Sequence, residues 1–204
     1  QYYEKLESRF PYGRYAEHAR LEVAYAYYKD SQPETAIIAA NRFIKLHPNH
    51  ANTDYAYYLR GLASFDASTS FLDRLFDQEP SERDPKSIRQ AFKYFSELIK
   101  TFPKSSYVPD SIKRMKILRE SLSRYEIHVA NYYLRQGAFL AAANRAKYVI
   151  EHYQDTLAIP DALAIMIHSY RKLGMNDLAN DALRVIELNY PTPEKTKNFT
   201  KKNK

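Results

Sequence analysis

"RFPYGRY" fills residues 9–15 and "TFPKSSY" fills residues 101–107. Each joins an aromatic residue to a proline and places a tyrosine four positions after that proline, in a chain of 204 residues with only 10 prolines. Related endings follow at "KLHPNH" (45–50), "EHYQDT" (151–156) and "LNYPTP" (188–193). With Phe10, His47, Phe102, Tyr153 and Tyr190 as landmarks, the spacings are 37, 55, 51 and 37 residues. Gly137 and Gly174 are also 37 apart, and each lies between two landmarks. A recurring period a little above the roughly 34 residues of a tetratricopeptide unit marks stacked helical hairpins. The two quoted stretches are then the same corner used twice. The aromatic residue ends one helix in the core, proline stops it, and the tyrosine starts the next helix facing back.

The patterning between corners agrees. Ile88, Ala91, Phe92, Phe95, Leu98, Ile99 and Phe102 trace one helical face. Asp84-Pro85 supplies a cap acceptor and a proline for the first helical position. Asn176 is placed to cap the last helix, with Leu178, Ala182, Val185 and Ile186 as its apolar face. The spacing of 55 holds an insert, "FDASTSFLDRLFDQEPSERDP" (65–85), with apolar Phe71, Leu72, Leu75 and Phe76 and then a charged loop. The spacing of 51 holds one long helix over 107–136. Its stripe of Met115, Leu118, Leu122, Tyr125, Val129 and Tyr132 alternates steps of three and four and runs for about 40 Å at ~1.5 Å per residue. The expected fold is an all-α, tetratricopeptide-like solenoid of helical hairpins over residues 1–191. A leftover helix at 1–9 precedes pairs at about 14–47, 50–102, 106–153 and 156–190, and a basic, disordered tail covers 192–204.

Composition narrows the function. There are no cysteines, so disulfides, thiolate nucleophiles and cysteine metal sites are excluded. Four glycines, at 13, 61, 137 and 174, are too far apart for a dinucleotide or phosphate loop. No HExxH or GxSxG motif occurs. His47, His50 and Asp54 are the nearest approach to a metal-ligand group, and a histidine at a helix end is the commoner use of such residues. No enzyme, cofactor or metal is expected. The formal charge is +7, but Lys195, Lys197, Lys201, Lys202 and Lys204 account for five of these charges, and without them the chain carries +2. Nucleic acid is therefore not an expected partner, because a basic tail on near-neutral repeats gives little phosphate-binding surface. No apolar run is long enough to span a bilayer. The chain opens at Gln1 inside a helical pattern, and a missing upstream segment is expected.

Stacked hairpins leave a groove lined by first helices. Here these carry "YAYYKD" (25–30), "YAYYLRG" (55–61) and "NYYLRQG" (131–137), in a chain with 19 tyrosines. Tyr27, Tyr57 and Tyr132 are expected in the packing. Tyr28, Tyr58 and Tyr133 lie about 100° further round their helices, so not all six can face one core. Some are expected on a binding surface, where an aromatic body with a polar tip suits recognition.

The stretches "RFPYGRYAE", "RFIKLHPNHANTDYAYYLRGL", "SERDP", "AFKYFSELIKTFPKSSY", "KRMKILRESLSRYE" and "ANYYLRQGAFLAAANRAKYVIEHYQDT" resemble the BamD family, the YfiO/ComL lipoproteins of the bacterial outer-membrane β-barrel assembly machinery. The insert and the long helix are part of that resemblance, which covers residues 1–190. It implies a periplasmic scaffold held at the outer membrane by acyl chains on an N-terminal cysteine that this chain lacks. Its implied partners are the POTRA domain of BamA, lipoproteins of the BamC and BamE type, and unfolded outer-membrane β-barrel clients. The corner at Phe10, Tyr12, Arg14 and Tyr15 matches the region implicated in reading client signals. "AANRAKY" matches the BamA-facing region and nominates Arg145, with Asn144 and Lys147 beside it. The alternative is another tetratricopeptide adaptor that clamps the peptide tail of a periplasmic or cytosolic partner.

Overall fold

The computed structural model describes residues 14–75 and 85–190, with side chains described over 17–67 and 85–190. The described residues form α1 (Arg14–Lys29), α2 (Pro33–Leu46), α3 (Thr53–Leu75), α4 (Lys86–Thr101), α5 (Val108–Arg135), α6 (Phe139–His152), α7 (Ile159–Lys172) and α8 (Asn176–Asn189), and no strand occurs among them. This is the all-α hairpin architecture that the period implied. The segment 1–9 and the tail 192–204 lie outside the described residues, as does most of the corner at 9–15.

The landmark residues end helices in one repeated geometry. His47, Phe102, Tyr153 and Tyr190 are the C-caps of α2, α4, α6 and α8, with φ between −133° and −129° and ψ between 43° and 66°. Each backbone N–H donates to the carbonyl four residues back, on Phe43, Leu98, Val149 and Ile186. A second bond then closes the corner. His50 N–H reaches His47 O at 3.2 Å, Ser105 reaches Phe102 at 3.0 Å, and Thr156 reaches Tyr153 at 3.1 Å. Pro48 and Pro103 follow their caps directly, where a residue without an N–H cannot extend the helix.

The turns inside hairpins have their own repeated form. Ser31, Gly137 and Gly174 hold φ of 56°, 72° and 74°. The next N–H, on Gln32, Ala138 or Met175, donates 2.9 Å to the carbonyl five residues back on Tyr27, Tyr133 or Tyr170. That left-handed closure consumes carbonyls the helix end would leave unpaired. Glycine adopts it without a Cβ penalty, whereas Ser31 bears one.

The chain divides into two compact units within α5, after Leu118. In the first, α1 packs on α2, α2 on α3, and α3 on α4. Leu21, Phe43 and Ala56 form one buried cluster there, and Ala24, Ala40 and Leu59 another. The face expected for α4 is the buried one, with Ile88, Ala91, Phe95 and Leu98 inside and Phe92, Ile99 and Phe102 half-buried. Arg60 of α3 is buried at the junction of three helices. It donates to Asn41 at 2.9 Å and Glu97 at 2.5 Å and lies between the rings of Tyr57 and Tyr94. In the second unit, α7 packs between α6 and α8. It is apolar on most sides, with Ile159, Ala162, Leu163, Ile165 and Ile167 buried, as a helix covered on two faces must be.

Several local expectations need correction. α4 starts at Lys86 with Pro85 at the N-cap, so no side chain caps it, and Asp84 lies outside the described residues. Asn176 is the first residue of α8 and does not cap it; Met175 holds that position. The buried face of α8 is Ala179, Ala182 and Ile186, while Leu178 and Val185 are exposed. Alanines allow α8 to approach α7 closely, and the larger apolar residues one position away are displaced from the contact. The front of the insert, expected between the two helices of one pair, is continuous with the first of them. It prolongs α3 through Leu75, and Phe76 and the charged loop lie outside the described residues.

Candidate interaction surfaces

In the first unit the tyrosines of α1 and α3, with Tyr107 just before α5, form a row in which Tyr28 and Tyr55 pack on the same buried cluster. Tyr25 and Tyr28 of α1 lie 6.4 Å apart between ring centroids. Tyr58 of α3 stacks on Tyr107 at 4.7 Å, and Tyr55 meets the same ring at 5.4 Å. Carboxylates from a neighbouring helix fix the row: the Tyr28 hydroxyl donates to Asp66 at 2.7 Å and the Tyr58 hydroxyl to Asp110 at 2.6 Å. Arg114 also donates to Asp110, at 2.6 Å, and lies over the Phe65 ring. Burial, joined by these hydrogen bonds and charges, pushes the Tyr28 and Tyr58 hydroxyls up to about 12. Burial works to raise the Asp110 carboxyl, but the bonds from Tyr58 and Arg114 and the charges of Arg114 and Lys113 outweigh it and hold that carboxyl below its usual range. Tyr28 and Tyr58 are half-buried: the Tyr28 ring packs against the Ala24, Ala40 and Leu59 cluster and the Tyr58 ring lies beside Phe95, while their hydroxyls reach outward to Asp66 and Asp110. Tyr57 packs against Phe102, as expected, and Tyr132 lies against Tyr133. Tyr133 itself packs against the second unit's core.

The corner candidates stand at the edge of what the structure describes. Phe10 and Tyr12 lie outside it. Arg14 and Tyr15 belong to the first turn of α1, with their side chains outside the described set. Next to them in α1, Glu17, His18 and Arg20 meet His47 and His50 of the following corner. Arg20 Nη1 lies 2.9 Å from His47 Nε2, which makes that nitrogen an acceptor. Glu17 lies 3.5 Å from His47 and 3.7 Å from His50. Burial, with help from the Arg20 and His50 charges, holds His47 below its ordinary value against the pull of Glu17. Asp54, the third member of the imagined metal group, instead accepts from Ser105 at 2.6 Å.

In the second unit, α6 turns its alanines inward and an amphipathic face outward. Ala142, Ala143, Ala146 and Val149 are buried. Leu140, Asn144, Arg145, Lys147 and Tyr148 are exposed. Arg145 is tethered: its Nη1 donates 3.0 Å to Glu126 of α5, a carboxylate only 2% exposed, while the arginine side chain remains 45% exposed. Lys147 pairs with Glu151 at 3.5 Å along the helix. Asn144 is exposed beside them. Tyr148 lies against His152 at 4.2 Å. The three nominated residues are all exposed on α6, with Asn144 between Arg145 and Lys147 around the helix, whose side chains leave it about 160° apart. The sequence reading missed Glu126, although a signal was present. Leu118, Leu122 and Ala130 run at steps of four on α5, and a glutamate fills the gap in that buried row.

A family model described as outer membrane lipoprotein, YfiO, matches residues 1–195. The chain belongs to that family. Its relatives include the outer membrane protein assembly factor BamD of Neisseria meningitidis serogroup A, 49% identical over 189 residues that make up 93% of this chain and 71% of that protein. The BamD of Xylella fastidiosa is 38% identical, over 93% of this chain and 65% of that protein. The BamD of Vibrio cholerae is 34% identical, over 91% and 77%. These relatives are named as assembly factors. The YfiO match includes the corner at 9–15, the tyrosine row and the α6 face. Among the described residues, no helix is long and apolar enough to cross a membrane.

Proposed function

We propose that this chain is a non-enzymatic scaffold of outer-membrane β-barrel assembly. It works on the periplasmic side of the outer membrane, where an N-terminal lipid anchor would hold it. Its C-terminal hairpins dock on the POTRA domain of BamA through Arg145, Asn144 and Lys147. Its N-terminal hairpins receive unfolded outer-membrane clients at Phe10, Tyr12, Arg14 and Tyr15, and lipoproteins of the BamC and BamE type bind alongside. The observation that carries the reading is 49% identity across 93% of the chain to a protein named as an outer membrane assembly factor. Two features of the molecule support it. The α6 face combines exposed apolar residues with a half-exposed, oriented guanidinium, the composition of an interface centre. A barrel's terminal strand alternates apolar and polar side chains, and an aromatic row offers such a segment ring contacts at small entropic cost.

The test is co-elution with purified BamA POTRA domains at micromolar protein. A stable complex is expected, and its absence would refute the docking reading. Arg145→Glu is a poor probe, because it sets a second carboxylate against buried Glu126 and endangers the fold. Arg145→Lys keeps the countercharge and removes the planar fork. Loss of the complex with an unchanged helical spectrum is the expected result.

A further inference from the structure

We infer that Glu126 is a positioning residue for the α6 surface: its buried carboxylate fixes the Arg145 guanidinium so that the outer edge is presented, already oriented, to a carboxylate on the docking partner. This rests on the docking reading above. Glu126 occupies a buried row of α5 between Leu122 and Ala130. Taking a carboxylate out of water is costly, and an apolar side chain in such a place commonly stabilises a fold at least as well. Packing alone therefore does not account for a charge at this position. Its geometry does. A guanidinium has five N–H donors in one rigid plane. One corner of that plane, Nη1, is held 3.0 Å from Glu126 while 45% of the side chain stays exposed, which leaves donors that Glu126 does not use for a ligand. An arginine on a bare helix surface must lose its rotamer freedom when a partner binds, whereas a tethered one has lost much of it on folding.

The tether also sets the type of recognition. Glu126 balances Arg145, and Glu151 balances Lys147, so this face carries little net charge to steer a partner from a distance. Selection then depends on the directional, two-bond fit of the guanidinium edge to a carboxylate. Exposed Tyr148, three residues on from Arg145 and so beside it on the helix, supplies an apolar surface next to the guanidinium. The partner feature that fits is an acidic side chain set among apolar ones.

The experiment measures POTRA affinity by calorimetry for the wild type, Glu126→Gln, Arg145→Ala and the double variant. Glu126→Gln keeps the size and one acceptor oxygen but removes the charge. A loss of about tenfold or more is expected in the wild-type background, with a faster off-rate. In the Arg145→Ala background the same change should alter affinity by less than about twofold, because the guanidinium it positions is gone. Equal losses in both backgrounds would make Glu126 a structural residue only, and no loss in the wild type would also overturn the proposal. If Glu126→Gln does not fold, Arg145→Lys decides: affinity equal to wild type would show that an oriented fork is not what the partner reads. A wild-type chain that does not bind POTRA refutes the docking reading itself, a different outcome from binding that depends on Arg145 and ignores Glu126.

Discussion

Gly61 is the point where a single methyl group should disturb the array, against its local propensity. The residue lies inside α3 without a positive φ, so replacing it with alanine should favour the helix by ~1 kcal/mol. Packing opposes this. A Cβ at Gly61 would lie 2.5 Å from Cε1, 2.7 Å from Cδ1 and 3.0 Å from Cζ of Phe95 on α4. Phe95 is fully buried, and the rings of Tyr58 and Phe65 sit 6.3 and 6.4 Å from its centroid, so it has little room to withdraw. Either α4 moves off α3 or the ring leaves its rotamer, and overpacking of this kind costs about 1–3 kcal/mol. With contacts this short the cost lies toward the upper end, and the net loss for Gly61→Ala is about 1–2 kcal/mol. For a chain of this length that is a fall in Tm of roughly 2–8 °C. The assay is thermal and urea unfolding of the wild type, Gly61→Ala, Phe95→Leu and the double variant. Leucine at 95 removes the ring atoms that clash, so the two changes should cost less together than separately, by about 1 kcal/mol or more. Gly61→Ala at or above wild-type stability, or strictly additive costs, would refute the claim that a missing side chain sets the α3–α4 approach.

The intra-hairpin turns give an opposite pair of outcomes. Ser31→Gly relieves the one non-glycine left-handed residue described and should raise stability by about 1 kcal/mol, while Gly137→Ala, where a Cβ meets nothing within 4 Å, should lower it by about the same amount through backbone strain alone; urea midpoints check both. The tyrosine row should show at both ends of the pH range. Asp110 is held below 3.8, so its contribution is present above that value and is lost as pH falls through the depressed one. Tyr28 and Tyr58 are raised from 10.0 to about 12, so theirs is present below pH 10 and is lost between about 10 and 12; Asp110→Asn should flatten the acid limb of a stability–pH curve. His47 is held below 6.5 and is needed neutral to accept from Arg20, so its contribution is present above pH 6.5 and declines as pH falls through the lower value. His47→Gln should remove that slope, and a slope that persists would assign it to another group.

The repeat was legible in the sequence because helix ends are a local matter. A chain that must stop a helix, turn and start another within about six residues has few solutions, and the same residue classes recur at His47, Phe102 and Tyr153. Gly137 and Gly174 were readable for the same reason, since a left-handed turn favours glycine. Ser31 fills the same place in the first hairpin and could not be read, because nothing in the letter S demands φ above zero. Burial was less legible than periodicity. On α8 the eye follows Leu178 and Val185, yet the contact with α7 selects Ala179 and Ala182, whose small size matters more than their apolarity. Arg145 was accessible only through family resemblance. The letters "NRAK" do not show that the arginine is tethered, because its partner lies 19 residues earlier on another helix.

The two surfaces differ in what they have left to offer a ligand, and this changes the chemistry expected of the tyrosine row. The row contains several hydroxyls, which by residue type alone are donors for the carbonyls of an extended peptide. The hydroxyls of Tyr28 and Tyr58 are already donating to Asp66 and Asp110, and Arg114 donates to the same Asp110 oxygen, Oδ2, that Tyr58 uses. One face of Tyr58 is covered by Tyr107. A peptide lying across α1 and α3 therefore meets ring edges and uncovered ring faces, with carboxylates behind them that accept and do not donate. Aromatic and apolar side chains are accommodated, and backbone N–H groups find acceptors more readily than carbonyls find donors. On α6 the balance is reversed, because the guanidinium edge left free by Glu126 can only donate. A segment that suits one surface is thus poorly matched to the other, which is what a scaffold needs if it is to hold a client and a docking partner without exchanging them.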